Sequence, residues 1–291
     1  MTLVPDLNRR AVLRMGAGAS ATAAGVWALS ALLDPLEPQA APPQAPAPFE
    51  PSAASSLPNR LTGSFISAAR GGVKTNWVIA LPPGQNSQSG SLRPVIALHG
   101  KDGNANMMLD CGVENGLAKL VKEGKPPFAV VGVDGGNTYW HRRASGVDSG
   151  AMVREELLPM LSSMGFDTSR VGFMGWSMGG YGALHLGAKL GPSRTAGICV
   201  ISPALYTSFT GSAPGAFDSY DDWVQNSVTG LPALSQIPLR VDCGTGDRFC
   251  FATRQFVNQL KTPPAGSFSA GGHDMDYWRE QLPGELAWMT S

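Results

Sequence analysis

The pentapeptide Gly175-Trp176-Ser177-Met178-Gly179 stands between an apolar β-rich run, Val171 to Met174, and a helix-like stretch that starts Gly180-Tyr181-Gly182-Ala183-Leu184. In a chain with 36 glycines a Gly-x-Ser-x-Gly match alone says little, so its setting carries the information. A strand that turns sharply into a helix needs small residues on both sides of the turn and pushes the serine hydroxyl clear of the backbone. The surrounding chain keeps the same rhythm. Strand-like runs recur at Phe65 to Ala69, Asn76 to Leu81, Val95 to Leu98, Phe128 to Val133, Ile198 to Ile201 and Leu239 to Asp242. Helix-like stretches fall around Asn115 to Lys122, Ser149 to Ser163, Tyr181 to Lys189, Phe251 to Leu260 and Asp276 to Trp288. The later strands are nearly continuous apolar runs, as strands covered by helices on both faces must be. The alternation predicts an α/β protein with a mostly parallel central sheet, its first two strands forming an antiparallel edge.

Both ends of this pattern have their own character. Asn8-Arg9-Arg10-Ala11-Val12-Leu13-Arg14 precedes nineteen uncharged residues, Met15 to Leu33, and resembles a twin-arginine export signal. Residues 1–33 are therefore expected to be a signal sequence or N-terminal anchor that takes the protein to the cell envelope or beyond. Asp34 to Pro58 holds eight prolines in twenty-five residues and predicts an extended linker, which leaves 59–291 as the folded body. Lys plus Arg and Asp plus Glu both number 22, so no positive excess exists to drive nucleic-acid binding. Export permits disulfides, and Cys243 and Cys250, seven residues apart, are the expected pair. No His/Cys spacing fits a zinc site, and neither metal nor cofactor is expected. Pro203 to Ile237 interrupts the alternation with thirty-five residues, a length that predicts a functional lid.

A serine hydroxyl needs a base, and in strand–turn–helix enzymes of this kind the acid and base follow the serine along the chain. Among the four histidines, His99 and His141 precede Ser177. His185 lies eight residues on in the same helix, about 12 Å away, and reads as a packing histidine. His273, in the turn Ala270-Gly271-Gly272-His273-Asp274, is left as the base. Its orienting acid belongs on a loop at the end of an earlier strand; Asp247 fits, with Asp242 as runner-up because it falls inside the strand. Two backbone N–H groups complete the chemistry by holding the developing oxyanion. Met178 supplies one, and the segment His99-Gly100-Lys101-Asp102-Gly103 supplies the other from Lys101, or alternatively from Asp102.

Gly-Trp-Ser-Met-Gly-Gly-Tyr-Gly-Ala (175–183), Asp-Cys-Gly-Thr-Gly-Asp (242–247) and Gly-Gly-His-Asp-Met-Asp-Tyr-Trp (271–278) together resemble the esterase D family. That family includes S-formylglutathione hydrolases, feruloyl esterases and mycobacterial mycolyltransferases. The resemblance spans about residues 60 to 290 and implies an α/β-hydrolase fold with a Ser177, Asp247, His273 triad and oxyanion donors at Lys101 and Met178. It also marks Asp134-Gly135-Gly136-Asn137-Thr138-Tyr139-Trp140-His141 as a loop beside the site. His99 stands where the mycolyltransferases carry an acidic residue, which argues against a trehalose site like theirs. The implied activity is hydrolysis of a small-molecule or lipid ester, with acyl transfer to a sugar or lipid alcohol, or binding without turnover, as alternatives. Leu205, Tyr206, Phe209, Phe217, Tyr220, Trp223 and Val224 concentrate apolar surface in the lid. Phe209 and Trp223 are expected to touch the acyl chain, Trp140 and His141 to border the alcohol side, and His99 and Asp102 to line the substrate site as well.

Overall fold

The computed structural model describes residues 59–87 and 92–291. The predicted signal (1–33) and linker (34–58) lie outside the described residues. No helix among the described residues is long and apolar enough to cross a membrane.

Among the described residues eight strands form one sheet in the order β1-β2-β4-β3-β5-β6-β7-β8. The first two, β1 (Arg60–Ser67) and β2 (Val73–Ala80), pair antiparallel, and β2 pairs antiparallel with β4 (Phe128–Val133). From β4 onward every pair is parallel: β3 (Arg93–Leu98), β5 (Val171–Trp176), β6 (Thr195–Ile201), β7 (Leu239–Gly244) and the two-residue β8 (Phe268–Ser269). The antiparallel edge is where the alternation placed it, although β1 and β2 start several residues earlier than the apolar runs. Their outer residues are half-buried or exposed, so apolar content understates their length.

The central strands are buried along their whole length, and alternate residues feed two cores. Ile96, Leu98, Phe173 and Val200 face the core under α4 (Met178–Leu190). Val95, Ala97, Met174 and Cys199 face the opposite core, closed by α1 (Val113–Lys122) and α7 (Met275–Trp288). The helical stretch 149–163 is built as α2 (Ser149–Ala151), a π-helical segment Met152–Leu157 and α3 (Leu158–Ser163), with Met152, Val153, Leu157, Leu158 and Leu161 buried on one side. The insertion after β6 contains α5 (Tyr220–Asn226) and a 3-10 turn Pro232–Ser235, and α6 (Cys250–Asn258) follows β7.

The expected Cys243–Cys250 bridge is not formed; all four cysteines are free thiols. Cys243 is buried at the end of β7, where burial pushes its thiol up to about 12. Cys250, half-buried, opens α6. The turn between them is closed instead by backbone bonds, Asp247 N–H to Gly244 O at 3.1 Å and Cys250 N–H to Asp247 O at 3.0 Å.

Candidate active site

Ser177 is the single residue between the end of β5 and the start of α4, and its backbone sits at φ 53° and ψ −118°. That conformation is costly for a residue with a Cβ, and the surroundings fix it from both sides. The Ser177 N–H donates to Ile201 O at 3.2 Å, while its carbonyl accepts from Ala204 N–H at 2.8 Å and Tyr181 N–H at 3.0 Å. The flanking glycines are steric necessities. A Cβ on Gly175 would lie 2.3 Å from Gly179 O, and one on Gly179 would lie 1.8 Å from Leu98 O.

His273 enters from the loop between β8 and α7. Its Nε2 lies 2.9 Å from Ser177 Oγ and its Nδ1 lies 2.8 Å from Asp247 Oδ2. The imidazole is fixed edge-on between Phe249 and Trp278, each ring centroid 5.1 Å away. Asp247, at the turn after β7, has a fully buried side chain and accepts the Phe249 N–H through Oδ1 at 2.7 Å. Burial pushes this carboxyl up, but hydrogen bonds from His273 and the Phe249 N–H, with the Ser202 hydroxyl close by, outweigh it and leave the pKa below the ordinary value. An ionised Asp247 can only accept, so Nδ1 carries the proton and Nε2 presents a lone pair to the Ser177 hydroxyl. Asp242, the other acid considered, is engaged elsewhere, by Arg240 Nε at 2.7 Å and Ser267 N–H at 2.9 Å.

Met178 N–H begins α4 and so has no acceptor within the helix. On the facing loop, the Asp102 N–H already donates to Asn137 Oδ1 at 2.8 Å, which removes Asp102 as the alternative oxyanion donor. The Lys101 N–H has no acceptor among the described residues. The N–H groups of Met178 and Lys101 are thus both left without an acceptor among the described residues, on the two segments that flank Ser177.

Three expected substrate contacts are corrected. His99 is buried, and burial lowers its pKa; its Nδ1–H donates to Gly100 O at 2.7 Å while Nε2 accepts the Gly135 N–H at 2.9 Å, so both nitrogens are used within the fold. Trp140 is fully buried against Gly135 and Gly182 and donates its indole N–H to His99 O at 3.4 Å. His141 is buried beneath the insertion, stacked on Phe217 at 5.3 Å and donating from Nε2 to Ala216 O at 3.0 Å. All three carry apolar or amphipathic rings that the packed loops consume. His185 is the packing histidine expected; burial drives its pKa down to about 3.

The insertion is tied to the body rather than hung from a hinge. Arg143 grips Asp218 at 2.6 Å and the carbonyls of Gly215 and Ala216 at 2.9 and 3.0 Å. Tyr139 and Tyr206 share a hydroxyl bond of 2.8 Å, and Tyr181 Oη donates to Asn226 O at 2.7 Å. Phe209 packs edge-on to Tyr220 and onto the core. Trp223 and Tyr206 line a cavity of about 230 Å³ between the insertion and α6. Tyr206 contacts Phe249 at 5.6 Å, so this cavity lies one ring from the ring that touches His273.

Sequence reasoning did not find Ser202, which is buried at φ 49° beside Asp247, or the Phe249 N–H. The one signal for Ser202 is a polar residue directly after the apolar run of β6.

The fold is that of the α/β-hydrolases, and solved structures share it. A ferulic acid esterase superposes with a TM-score of 0.68 at 20% identity, covering 79% of this chain and 97% of that one. An S-formylglutathione hydrolase from Agrobacterium tumefaciens gives 0.65 at 18% identity, over 81% and 96%. MPT51 (FbpC1) of Mycobacterium tuberculosis gives 0.60 at 17% identity, over 84% and 98%. At such identities the likeness is one of fold. No curated protein matches the sequence. The family model described as "Esterase: Putative esterase" matches residues 68–289, and by that match the chain belongs to this esterase family.

Proposed function

We propose that the protein is a serine carboxylic-ester hydrolase that works through an acyl-enzyme on Ser177. The observation that carries this reading is the unbroken chain from Ser177 Oγ through both nitrogens of His273 to Asp247. His273 Nε2 takes the hydroxyl proton as Oγ attacks the ester carbonyl carbon, and Asp247 stabilises the resulting imidazolium. The carbonyl oxygen becomes an oxyanion held by the N–H groups of Met178 and Lys101. Collapse breaks the bond to the alcohol, which leaves with the proton from Nε2. Water then gives a proton to Nε2, attacks the acyl carbon and releases the acid, restoring Ser177.

The substrate in this reading is a small-molecule or lipid ester, with its acyl chain in the cavity beside Trp223 and Tyr206. The lack of charge among the cavity residues Leu205, Tyr206, Thr207, Trp223, Ser227, Thr229, Ala252, Gln255, Phe256 and Gln259 supports a neutral chain. Export to the cell envelope is part of the same proposal and rests on Arg9, Arg10 and the uncharged run Met15 to Leu33.

The test is turnover of p-nitrophenyl esters of increasing acyl length. Wild type is expected to favour short-to-medium chains over acetate, and Ser177→Ala to lose at least about 10⁴-fold in kcat. Turnover unchanged in Ser177→Ala would reject the assignment. Product that appears as a new ester when trehalose or glycerol is added would make the enzyme an acyltransferase instead.

A further inference from the structure

The oxyanion donor assigned to Lys101 is a single N–H on an exposed loop, and such a donor is useful only if its peptide is held still before the charge develops. Two peptide planes flank the Lys101 Cα. The first contains Gly100 C=O and Lys101 N–H, so fixing the carbonyl also aims the N–H in the opposite direction. That carbonyl accepts from His99 Nδ1–H at 2.7 Å and Gly103 N–H at 3.1 Å. The second plane contains Lys101 C=O and Asp102 N–H. It is held by one side chain: Asn137 Oδ1 accepts the Asp102 N–H at 2.8 Å, and Asn137 Nδ2 donates to Asp102 Oδ1 at 2.7 Å. Asp102 sits at φ 61°, an uncommon conformation for a non-glycine residue that the Asn137 bonds help to fix.

Asn137 itself is well anchored. The turn that carries it is stitched to the same loop on its N-terminal side, by Gly135 N–H to His99 Nε2 at 2.9 Å and Ala105 N–H to Asp134 Oδ1 at 2.8 Å. The loops after β3 and β4 thus form one unit, with His99 as the buried brace of the oxyanion peptide and Asn137 as the exposed one.

We propose that Asn137 is a positioning residue for the oxyanion hole, acting through its paired hydrogen bonds to Asp102. This inference rests on the esterase reading of Lys101. Asn137 makes no predicted contact with the ester, so its loss acts on the tetrahedral state and not on ground-state binding. The pair is solvent-exposed, so each bond contributes modestly and the effect is about tenfold rather than thousandfold.

The experiment uses the full chain and p-nitrophenyl butyrate, with phenylboronic acid as a probe of the tetrahedral state. Asn137→Ala is expected to lower kcat about tenfold with KM within about twofold, and to weaken phenylboronic acid by the same factor as kcat. Asn137→Asp keeps an acceptor for the Asp102 N–H but sets two carboxylates face to face, and is expected to be equally impaired. Adding Asp102→Asn to it restores a donor–acceptor pair with the polarity reversed, so the double variant recovers most of kcat. A kcat for Asn137→Ala within twofold of wild type, a change confined to KM, or no recovery in the double variant would overturn the proposal. Circular dichroism and melting curves for each variant separate this from loss of fold. Fluorophosphonate labelling of wild-type Ser177 alongside those negative results would leave the esterase reading standing; no labelling of a folded wild type would remove both.

Discussion

Asp247 and Glu285 are both wholly buried carboxyl groups close to β7, yet they are held in opposite states. At Asp247 burial works against the charge, and the donors of His273 and the Phe249 N–H, with the Ser202 hydroxyl close by, more than compensate. At Glu285, on α7, burial and the nearby charge of Asp242 push the pKa up from 4.5 to about 8. Cys199 and the Trp176 indole lie close and ease this only in part, neither at hydrogen-bonding geometry, while Arg240 is already committed to Asp242. Burial alone does not decide whether a carboxyl is charged; the donors aimed at it do. The front of the sheet therefore holds an acid ready to balance an imidazolium, and the face under α7 holds a neutral acid as packing.

The largest effect that tests this contrast comes from removing the charge at each end of the 242–247 segment. Asp247→Asn should cost about 10⁴-fold in kcat with the fold intact, because an amide no longer holds His273 in the right tautomer. Asp242→Asn should instead lower the melting temperature, since it weakens the partner of Arg240, and leave kcat of the folded protein within about tenfold. Equal kcat losses in the two variants would mean that their roles are not distinct.

The next effect is on stability against pH, and its sign differs between the two acids. Asp247 has a depressed pKa, so its contribution is present above the ordinary carboxylate value of 3.8 and is lost as pH falls through the lowered folded value. Glu285 has a raised pKa. Its unfolded form releases the proton near 4.5 and its folded form near 8, so stability falls as pH rises across that window, by up to about 1.4 kcal/mol per pH unit. Glu285→Gln imitates the neutral acid and should flatten the decline in melting temperature between pH 6 and 8.5. Parallel declines in variant and wild type would show that Glu285 does not hold the proton.

Much of the front region was legible in the sequence. Ser177 and Asp247 were legible because each follows a strand-like run where a loop must begin, and His273 because the other three histidines lie before Ser177 or too far along its helix; the structure brings the three into one hydrogen-bonded chain. The two glycines of the turn were legible for the same steric reason that the structure gives. What failed were the aromatic and histidine positions of 99, 140 and 141. Such rings serve equally as packing and as contacts, and only the arrangement of neighbouring loops shows that His99 and Trp140 are consumed in holding them together. Glu285 was not legible as a neutral acid at all. In the sequence it sits in an ordinary polar stretch, Arg279 to Glu285, and its burial follows from how α7 meets α1 and β7. The disulfide expectation failed because spacing does not reveal that Cys243 ends a buried strand while Cys250 opens a helix.

The smallest effect marks how far the front region extends from Asp247. Trp223 borders the cavity next to Tyr206, and each methylene buried there adds about 0.8 kcal/mol. Trp223→Ala should flatten the chain-length dependence of kcat/KM by a few fold per two methylenes while leaving acetate turnover nearly intact. A uniform loss at every chain length would show that Trp223 only packs the insertion against the body.

The central claim is that Ser177 carries the acyl group. The direct measurement is the intact mass, followed by peptide mapping, of protein quenched in acid during turnover of p-nitrophenyl butyrate. The account predicts one added butyryl group, on Ser177, absent from Ser177→Ala. Turnover by folded wild type without that adduct, and with no fluorophosphonate bound at Ser177, would contradict it.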